Sequence, residues 1–474
     1  MNPFRFLVNG RWRSSSVQRP IRNPFTGTVV GEVYQASPSD IDDAIAGAVD
    51  AFARTRRLSS HQRWSILSSI SAGIDAQKER LAQLITAEMG KPISAARLEV
   101  ERAVFTFLTA AEEAKRIGGE VLPLDLAPNA GNRIGIVRRF PLGPVGGITP
   151  FNFPINLVAH KVGPAIAACD PIVLKPSSSA PMVALALAEI VDASELPKGG
   201  LNVVPCLANE AEQLVVDQRL KLISFTGSPP VGWSIKQRAG KKRVVLELGG
   251  NAGVIVDRDA DLDYALPRIV WGSYGTAGQS CIAVQRIYVH EAVYPGFVQR
   301  FVDLSKGVAT GDPTDPGTIV GPMITELAAR KVEGWIQDAV AGGAKVLCGG
   351  KRSGAVLEPT VVVGVKPEMN LCGEEVFAPV VTVEPFKEFA TAVQLVNNSK
   401  FGLQAGVFSN SMNHVLYAYE NLEVGGVIVN DVPTYRIDHM PYGGTKDSGF
   451  GREGLRYAIE EMTEMKLLGL NILA

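Results

Sequence analysis

Cys281 is the residue whose type and setting first suggest chemistry. It stands in the stretch GTAGQSCIAVQR, residues 275–286, among small and polar residues. Most free cysteines fill a protein core as small apolar side chains. A cysteine thiolate is also a strong nucleophile when a base or a positive charge activates it. The stretch alone therefore allows either a structural cysteine or a catalytic one.

A second group of residues has the character of a phosphate-binding crevice. Lys175 follows the apolar run PIVL, and a cation at the carboxyl end of a parallel strand faces the ligand crevice of the sheet. Gly227 and Ser228 follow the run LISFT and precede a Pro pair that favours the first turn of a helix, whose free N–H groups bind phosphate. The spacing has neither the Lys of a P-loop nor a GxGxxG pattern, so an ordinary strand-to-helix turn is equally compatible.

Glu247 is the carboxylate most worth attention, because it lies within the apolar run VVLELGG, residues 244–250. A carboxylate buried in such a run costs free energy unless it is paired or has a task. A structural ion pair and a catalytic base are both compatible with this position.

The totals favour an α/β protein with a small-molecule partner. A chain of 474 residues exceeds the ~250 to 300 residues at which one core stops growing, so about two or three domains are expected. With 47 basic and 48 acidic residues and no long run of one sign, nothing favours a nucleic-acid or membrane-surface partner. The five cysteines show no CxxC or Cys/His metal spacing, which predicts neither a disulfide framework nor a metal site. Without an apparent signal peptide or an 18-residue apolar run, the expected location is the cytoplasm.

The elements that must position these residues follow from the hydrophobic pattern. Residues 40–118 are mainly helical in period, with a first helix that starts at Asp40 as its cap and a later one that stops at Gly90. From residue 134 onward, short apolar runs alternate with helical segments, which is typical of a parallel sheet covered on both faces. A second alternating block runs from about residue 260 to 430 and predicts a second α/β lobe.

Eight segments in a fixed order resemble the aldehyde dehydrogenase superfamily over essentially the whole chain. In sequence order they are NPFTGTVVGEV, PLGPVGGITPFNFPINL, KPS, SFTGSPPVG, LELGG, GQSC, EEVFAPVV and MPYGGTKDSGFGREG. The pattern is most similar to a subgroup that handles lactaldehyde, glyceraldehyde 3-phosphate (without phosphorylation) and phosphonoacetaldehyde. The resemblance implies NAD(P)-dependent oxidation of an aldehyde to its carboxylic acid through a cysteine thiohemiacetal and thioester.

The resemblance also implies a role for each matching residue. Cys281 matches the nucleophile, Glu247 the general base that serves either Cys281 or the hydrolytic water, and Asn152 the side-chain donor to the oxyanion. The implied ligands of NAD or NADP are Pro150, Phe151, Lys175, Ser178, Gly227, Ser228, Gly249, Glu375 and Phe377. Ser178 stands where NAD-specific members commonly have Glu, so NADP is permitted and NAD is not excluded.

Substrate residues are implied by the same subgroup. Arg102, His160 and Arg436 occupy places that resemble its substrate contacts, and two arginines in one pocket favour an anionic tail. Each arginine is also compatible with a surface ion pair. Members that bind phosphate commonly have Arg before the nucleophile, where this chain has Ser280. The sequence therefore favours a short hydroxy- or carboxy-aldehyde such as lactaldehyde, with phosphorylated or phosphonylated aldehydes and succinate semialdehyde as alternatives.

The expected architecture has three parts. Residues 1–120 and 141–248 form a Rossmann-like cofactor domain, residues 249–445 form an α/β catalytic domain, and residues 121–140 and 446–474 form a small β oligomerisation element. The apolar tail MKLLGLNILA suggests strand pairing between subunits of a homodimer or homotetramer, although it could close its own sheet. A CoA-acylating dehydrogenase and a non-catalytic structural protein are rival functions, and Glu247 with Cys281 and Asn152 argues against both.

Overall fold

A computed structural model of the chain describes residues 3–472. Its strands are β1 (Phe6–Val8), β2 (Arg11–Arg13), β3 (Gln18–Arg22), β4 (Val29–Tyr34), β5 (Gly119–Pro123), β6 (Arg133–Pro141), β7 (Val145–Ile148), β8 (Ile172–Lys175), β9 (Leu201–Val203), β10 (Leu222–Thr226), β11 (Arg243–Glu247), β12 (Ala252–Val256), β13 (Val284–His290), β14 (Lys345–Cys348), β15 (Arg352–Ser353), β16 (Val356–Leu357), β17 (Thr360–Val363), β18 (Val380–Phe386), β19 (Phe401–Gly402), β20 (Gln404–Phe408), β21 (Gly426–Val429), β22 (Thr445–Lys446), β23 (Gly449–Phe450) and β24 (Thr463–Asn471).

The α-helices alternate with these strands after an N-terminal helical block. They are α1 (Pro38–Thr55), α2 (Ser60–Ala76), α3 (Lys78–Met89), α4 (Ile93–Ala114), α5 (Asn156–Ala168), α6 (Met182–Asp192), α7 (Glu212–Val216), α8 (Pro229–Arg238), α9 (Leu262–Tyr274), α10 (Tyr294–Lys306), α11 (Glu326–Ala341), α12 (Asn370–Gly373), α13 (Phe389–Asn397), α14 (Met412–Asn421) and α15 (Leu455–Glu461).

Two large sheets with parallel centres carry the fold, as the alternating pattern predicts. The first has the strand order β2-β1-β9-β8-β7-β10-β11-β23, and the second has the order β14-β17-β18-β13-β12-β20-β21. Their central strands pair in parallel and are buried on both faces, which is why their sequences are continuous apolar runs. The predicted α/β class with a doubly covered sheet is confirmed.

The start of the first helix differs from the prediction. Helix α1 begins at Pro38 with Ser37 as its N-cap, and Asp40 lies one turn inside the helix. The Ser37 side chain accepts the backbone N–H of Asp40, while the Asp40 carboxylate accepts the backbone N–H of Ser37 at 3.0 Å. This capping box satisfies two N–H groups at once, so Ser37 caps the helix better than Asp40 alone. The predicted stop at Gly90 is confirmed, with φ at +69°.

A third, smaller sheet has the order β24-β6-β5 and is antiparallel throughout. Apolar side chains of β24 are exposed on it, among them Met465, Leu467 and Leu468. The elements just before β24 do not belong to this small sheet. Strand β23 pairs with β11 in the first sheet, and helix α15 packs on α4 and α5. Residues 473–474 of the apolar tail lie outside the described part, and the division of the chain into domains stays a prediction.

Across residues 3–472, no helix combines the length and the apolar character needed to cross a bilayer.

Candidate active site

A cavity of about 640 Å³ opens where the carboxyl ends of the first sheet face the second lobe. Its walls include the segments that directly follow β7, β10 and β11, together with the turn before β13 and the segment before β18. In open α/β sheets, ligands bind at this end of the parallel strands. Predicted site residues on the cavity wall are Arg102, Pro150, Phe151, Asn152, Gly227, Ser228, Glu247, Gly249, Cys281, Glu375, Phe377 and Arg436.

Cys281 reaches the cavity on a tight turn between α9 and β13. Thr276 and Ala277 both have positive φ, a backbone conformation that non-glycine residues rarely adopt. A Cβ at Gly250 would overlap the Cys281 carbonyl oxygen, so only glycine allows the two backbone segments to approach this closely. The Cys281 sulfur lies 2.9 Å from the hydroxyl oxygen of Tyr442. Burial raises the pKa of Cys281 to about 12, and the hydrogen bond with Tyr442 opposes that rise.

Asn152 lies on the segment that leaves β7, beside the nucleophile turn. It is buried, and its Nδ2 donates to the backbone carbonyl of Gln279 at 3.0 Å. This bond fixes the amide against the turn that carries Cys281. Because an amide nitrogen has two N–H groups, one donor is left for a ligand in the cavity.

Glu247 ends β11 and is almost fully buried at the cavity wall. Neither of its carboxylate oxygens has a hydrogen-bond partner among the described residues. Burial and the nearby charge of Glu453 raise the pKa of Glu247 well above its ordinary value, while Arg436 and Lys161 oppose the rise. An unpaired, buried carboxyl group with a raised pKa is the environment of a general base rather than of an ion-pair partner.

Glu375 lies directly against Gly249 and Gly250, and Phe377 lies on the wall of the same cavity. The Glu375 Oε1 atom accepts the backbone N–H of Gly250 at 2.9 Å, and burial raises the pKa of Glu375 to about 7. A Cβ at Gly249 would overlap Glu375 Oε2. Phe377 has a φ of +53°, and its ring meets that of Phe151 edge to face at 6.0 Å. The cavity wall thus combines a carboxylate packed against Gly249 with two aromatic rings in mutual contact.

Gly227 and Ser228 form the predicted turn between β10 and α8. Ser228 is the N-cap, and prolines occupy the first two helical positions. Both prolines lack an N–H group, so the helix offers fewer donors to a phosphate than an ordinary N-terminus. The turn lies on the cavity wall, and its binding of a phosphate stays a prediction.

Lys175 and Ser178 lie outside the cavity wall, at the end of β8. Lys175 Nζ donates to Ser178 Oγ at 3.2 Å, and Ser178 Oγ donates to the Cys206 carbonyl at 3.4 Å. Burial lowers the pKa of Lys175. Because β8 and β10 flank β7, these side chains lie one strand beyond the part of the sheet that forms the cavity.

The three predicted substrate residues meet, but only two of them reach the cavity. Arg102 and Arg436 line its wall, whereas the His160 side chain is fully buried behind them. Asp438 accepts two hydrogen bonds from Arg102, at 2.6 and 3.2 Å, and lies 2.8 Å from His160 Nε2. Burial and the nearby Arg436 charge lower the pKa of His160, which favours the neutral ring. The structure thus gives His160 a contact with Asp438 rather than a direct contact with the cavity.

A buried charge network next to the cavity was missed in the sequence. Glu453 accepts from Lys161 at 3.2 Å and lies 3.3 Å from Arg436 Nη2, and all three side chains are buried. Glu453 and the thiol partner Tyr442 both lie in the segment MPYGGTKDSGFGREG, which carried the resemblance without an assigned role. Their long sequence separation from Lys161 and Cys281 left no local signal of these contacts.

Comparison with known proteins identifies the family. The model of the aldehyde dehydrogenase family matches residues 12–468. A 3-sulfolactaldehyde dehydrogenase of Priestia megaterium is 44% identical over 470 residues, which cover 99% of this chain and 98% of that protein. Aldehyde dehydrogenase 21 of Physcomitrella patens, in complex with the reaction product succinate, is 45% identical, with a TM-score of 0.98 over 100% of this chain and 99% of that one. The glyceraldehyde-3-phosphate dehydrogenase GapN of Methanocaldococcus jannaschii, complexed with NADP, is 38% identical, with a TM-score of 0.92 over 97% and 100% of the two chains.

Proposed function

This chain belongs to the aldehyde dehydrogenase family and oxidises an aldehyde with a nicotinamide nucleotide, and we propose that its substrate is a short aldehyde with a carboxylate or sulfonate tail. The product is the corresponding carboxylic acid. Succinate semialdehyde and a sulfonated hydroxy-aldehyde are the two representatives of this class that the named relatives suggest.

The observation that carries the substrate class is a pair of arginines on the cavity wall. The Arg436 side chain is only 7% exposed, and its Nε has no acceptor among residues 3–472. Glu453 and Asp438 raise the pKa of Arg436, so the side chain keeps its charge. Arg102 lies on the same wall; its Nε and Nη2 pair with Asp438, so Nη1 is the nitrogen that it can offer to a ligand. Guanidinium groups bind carboxylates and sulfonates through paired N–H donors, so an anionic tail fits this wall better than an apolar one.

The reaction assigns a task to each of three residues. The Cys281 sulfur attacks the carbonyl carbon, and the free N–H of Asn152 donates to the oxygen that becomes negative. Loss of one such donor typically costs about 10²- to 10³-fold in rate. Glu247 then takes a proton from the water that attacks the thioester and releases the acid. Because Glu247 has no partner in the structure, its carboxylate is free to hold that water.

The surroundings of Gly249 fit the nicotinamide end of NAD or NADP. The missing Cβ of Gly249 lets the Glu375 carboxylate lie at the cavity wall, where it can accept ribose hydroxyls, and Phe151 and Phe377 offer flat apolar surfaces. A nucleotide held there would supply the hydride acceptor that the oxidation on Cys281 requires. We assign Lys175 and Ser178 to the adenosine end, and Ser178 allows a 2′-phosphate because it carries no negative charge.

The test compares short aldehydes with anionic and with neutral tails. Initial rates at 340 nm are measured with succinate semialdehyde, 3-sulfolactaldehyde, lactaldehyde, glyceraldehyde 3-phosphate and neutral butanal, each with NAD⁺ and with NADP⁺. We expect kcat/KM to be highest for a carboxylate or sulfonate aldehyde. Equal kcat/KM for butanal and succinate semialdehyde would refute the anionic class, and a preference for lactaldehyde would favour a neutral hydroxy-aldehyde instead.

The substitution Arg102→Gln tests the same anionic substrate class by changing the protein instead of the substrate. We expect kcat/KM for succinate semialdehyde to fall by about 10- to 100-fold, the range for a hydrogen bond to a charged group, with a smaller change for butanal. Arg97→Gln is the matched control, since Arg97 lies on the same helix and its guanidinium pairs with Glu79 at the surface. Equal losses for both aldehydes would mean that Arg102 supports the fold of the cavity and does not bind the tail.

We further propose that the β24-β6-β5 sheet joins two copies of the chain. Leu467, Leu468 and Met465 are each more than half exposed on β24, and an apolar sheet surface of this kind favours burial against a partner. The molar mass of the protein, measured by light scattering, should be at least twice that of one chain. A double change of Leu467 and Leu468 to Glu should reduce it, and a monomeric wild-type protein would overturn the proposal.

A further inference from the structure

Tyr442 holds its hydroxyl group against the proposed nucleophile. The residue is almost fully buried, and its backbone is fixed by two hydrogen bonds with Glu453, of 3.0 and 2.7 Å. Ile282 and Leu403 surround the side chain in a small apolar cluster. Among the described residues, the Cys281 sulfur at 2.9 Å is the only hydrogen-bond partner of this hydroxyl. A buried phenol in an apolar cluster is thus directed at one sulfur atom.

A positive charge lies over the ring of the same tyrosine. The guanidinium carbon of Arg436 is 3.6 Å from the centre of the Tyr442 ring. A cation over an aromatic face withdraws electron density from the ring, and this makes the phenol O–H a stronger donor. The arrangement places a polarised donor between a cation and the sulfur.

The direction of the hydrogen bond depends on the charge of the sulfur. A thiol can donate to the phenol or accept from it, whereas a thiolate can only accept. Burial raises the pKa of Tyr442 well above its ordinary value, so the phenol keeps its proton. Ionisation of Cys281 therefore converts a neutral contact into a hydrogen bond to an anion, and such bonds are about twice as strong as neutral ones.

The other charges around the sulfur favour different forms. Glu247 and Glu375 both disfavour a negative sulfur, and Arg436 favours it. Without the hydroxyl, the sulfur would ionise in an apolar setting beside two carboxylates, with Arg436 as the single nearby cation that favours the anion. The phenol is thus the one neutral group in direct contact that stabilises the charged form.

We propose that Tyr442 is a further catalytic residue, whose hydroxyl donates a hydrogen bond to the ionised Cys281 sulfur and thereby stabilises the attacking nucleophile. The inference rests on the proposed role of Cys281 in the reaction. Tyr442 gives up no proton in this scheme, since the thiol proton leaves to solvent and the sulfur electron pair forms the new bond to carbon.

Alkylation of Cys281 tests this role without substrate or nucleotide. Iodoacetamide reacts with the thiolate, which forms a sulfur–carbon bond and expels iodide, and mass spectrometry of the peptide that contains Cys281 separates it from the other cysteines. We expect Tyr442→Phe to lower the alkylation rate at pH 8 by about tenfold or more and to move the pH profile upward. Tyr442→Leu also lacks the hydroxyl and should behave alike if Tyr442→Phe does not fold.

Tyr288→Phe is the matched control, because Tyr288 is buried and its hydroxyl contacts Arg286 and Leu395 rather than the thiol. It should alkylate at the wild-type rate. If Tyr442→Phe alkylates as fast as the wild type at every pH, Tyr442 does not stabilise the thiolate. A separate outcome concerns the proposed function: if Cys281→Ala still oxidises aldehyde, the nucleophile is wrong, whatever the alkylation result.

Discussion

Glu247→Gln should separate the two halves of the reaction. The substitution keeps the size of the side chain and removes its ability to accept a proton. The first oxidation needs only Cys281, so each active site should still release one NAD(P)H in a fast burst. Hydrolysis of the thioester needs a base, so the steady-state rate should fall by about 10²- to 10⁴-fold, the usual contribution of a positioned base.

The same substitution should change the pH dependence of stability. Burial and Glu453 raise the pKa of Glu247 above the unfolded value near 4.5. A carboxyl group with a raised folded-state pKa contributes its full stability below the unfolded pKa and loses it as the pH rises towards the folded pKa. The loss is about 1.4 kcal/mol for each pH unit inside that window. Glutamine does not titrate, so the variant should not show this loss. Its free energy of unfolding, relative to that of the wild type, should therefore rise by about 1.4 kcal/mol for each pH unit inside the window.

Two assays check these expectations. Stopped-flow absorbance at 340 nm gives the burst amplitude and the steady-state rate, and urea unfolding at pH 5, 6, 7 and 8 gives the free energy of unfolding. Glu101→Gln on the exposed face of α4 is a suitable control for a glutamate in water. An unchanged steady-state rate would remove Glu247 from the hydrolytic step. A stability difference that is the same at every pH would contradict the argument from burial.

Three further substitutions test other parts of the site. Asp438→Asn should lower the free energy of unfolding at pH 7 by about 2 to 4 kcal/mol, less than for a fully buried pair because Arg102 is partly exposed. The pKa of Asp438 lies well below its ordinary value of 3.8, so this loss should be present at pH 7 and should shrink as the pH falls below about 4, which urea unfolding at both pH values measures. Gly250→Ala should push the Cys281 carbonyl aside and lower kcat/KM by about 10²-fold, the effect of a small misplacement, and a near-normal kcat/KM would show that the turn can relax. Ser178→Glu should lower kcat/KM for NADP⁺ relative to NAD⁺ by about tenfold or more through like-charge repulsion, and an unchanged ratio would remove Ser178 from the 2′-phosphate site.

The sequence predicted those parts of the molecule that local patterns determine. The buried strands β8, β10, β11 and β12 are short apolar runs, and their length favours strands because a buried helix such as α6 needs a longer run. The predicted start of α1 was wrong because Ser37, three residues before Asp40, is the N-cap and forms reciprocal hydrogen bonds with Asp40. The composition of the segment does not show which polar residue will form the hydrogen bonds of the helix cap.

The parts that local patterns do not determine are side-chain partnerships across the fold. Cys281, Glu247 and Asn152 were expected at one site from family resemblance, and their positions on one cavity wall support that expectation. The contact between Tyr442 and Cys281 spans 161 positions, and no spacing rule connects them. His160 was expected to face substrate, yet the register of α5 directs it to Asp438 instead. Only tertiary packing decides such directions.

The positions of buried polar groups without hydrogen-bond partners also support the proposed active site. Buried polar atoms usually have partners, because an unpaired one costs free energy. Within residues 3–472, four of the nine buried side-chain atoms without a partner belong to Glu247, Arg436 and His160, and Glu247 is the only carboxylate among them with both oxygens unpaired. Around them, Lys161 and Glu453 form a paired buried network. The fold pairs Lys161 with Glu453 but leaves unpaired atoms on Glu247, Arg436 and His160, which costs stability. At the cavity, water and an anionic substrate can supply missing partners.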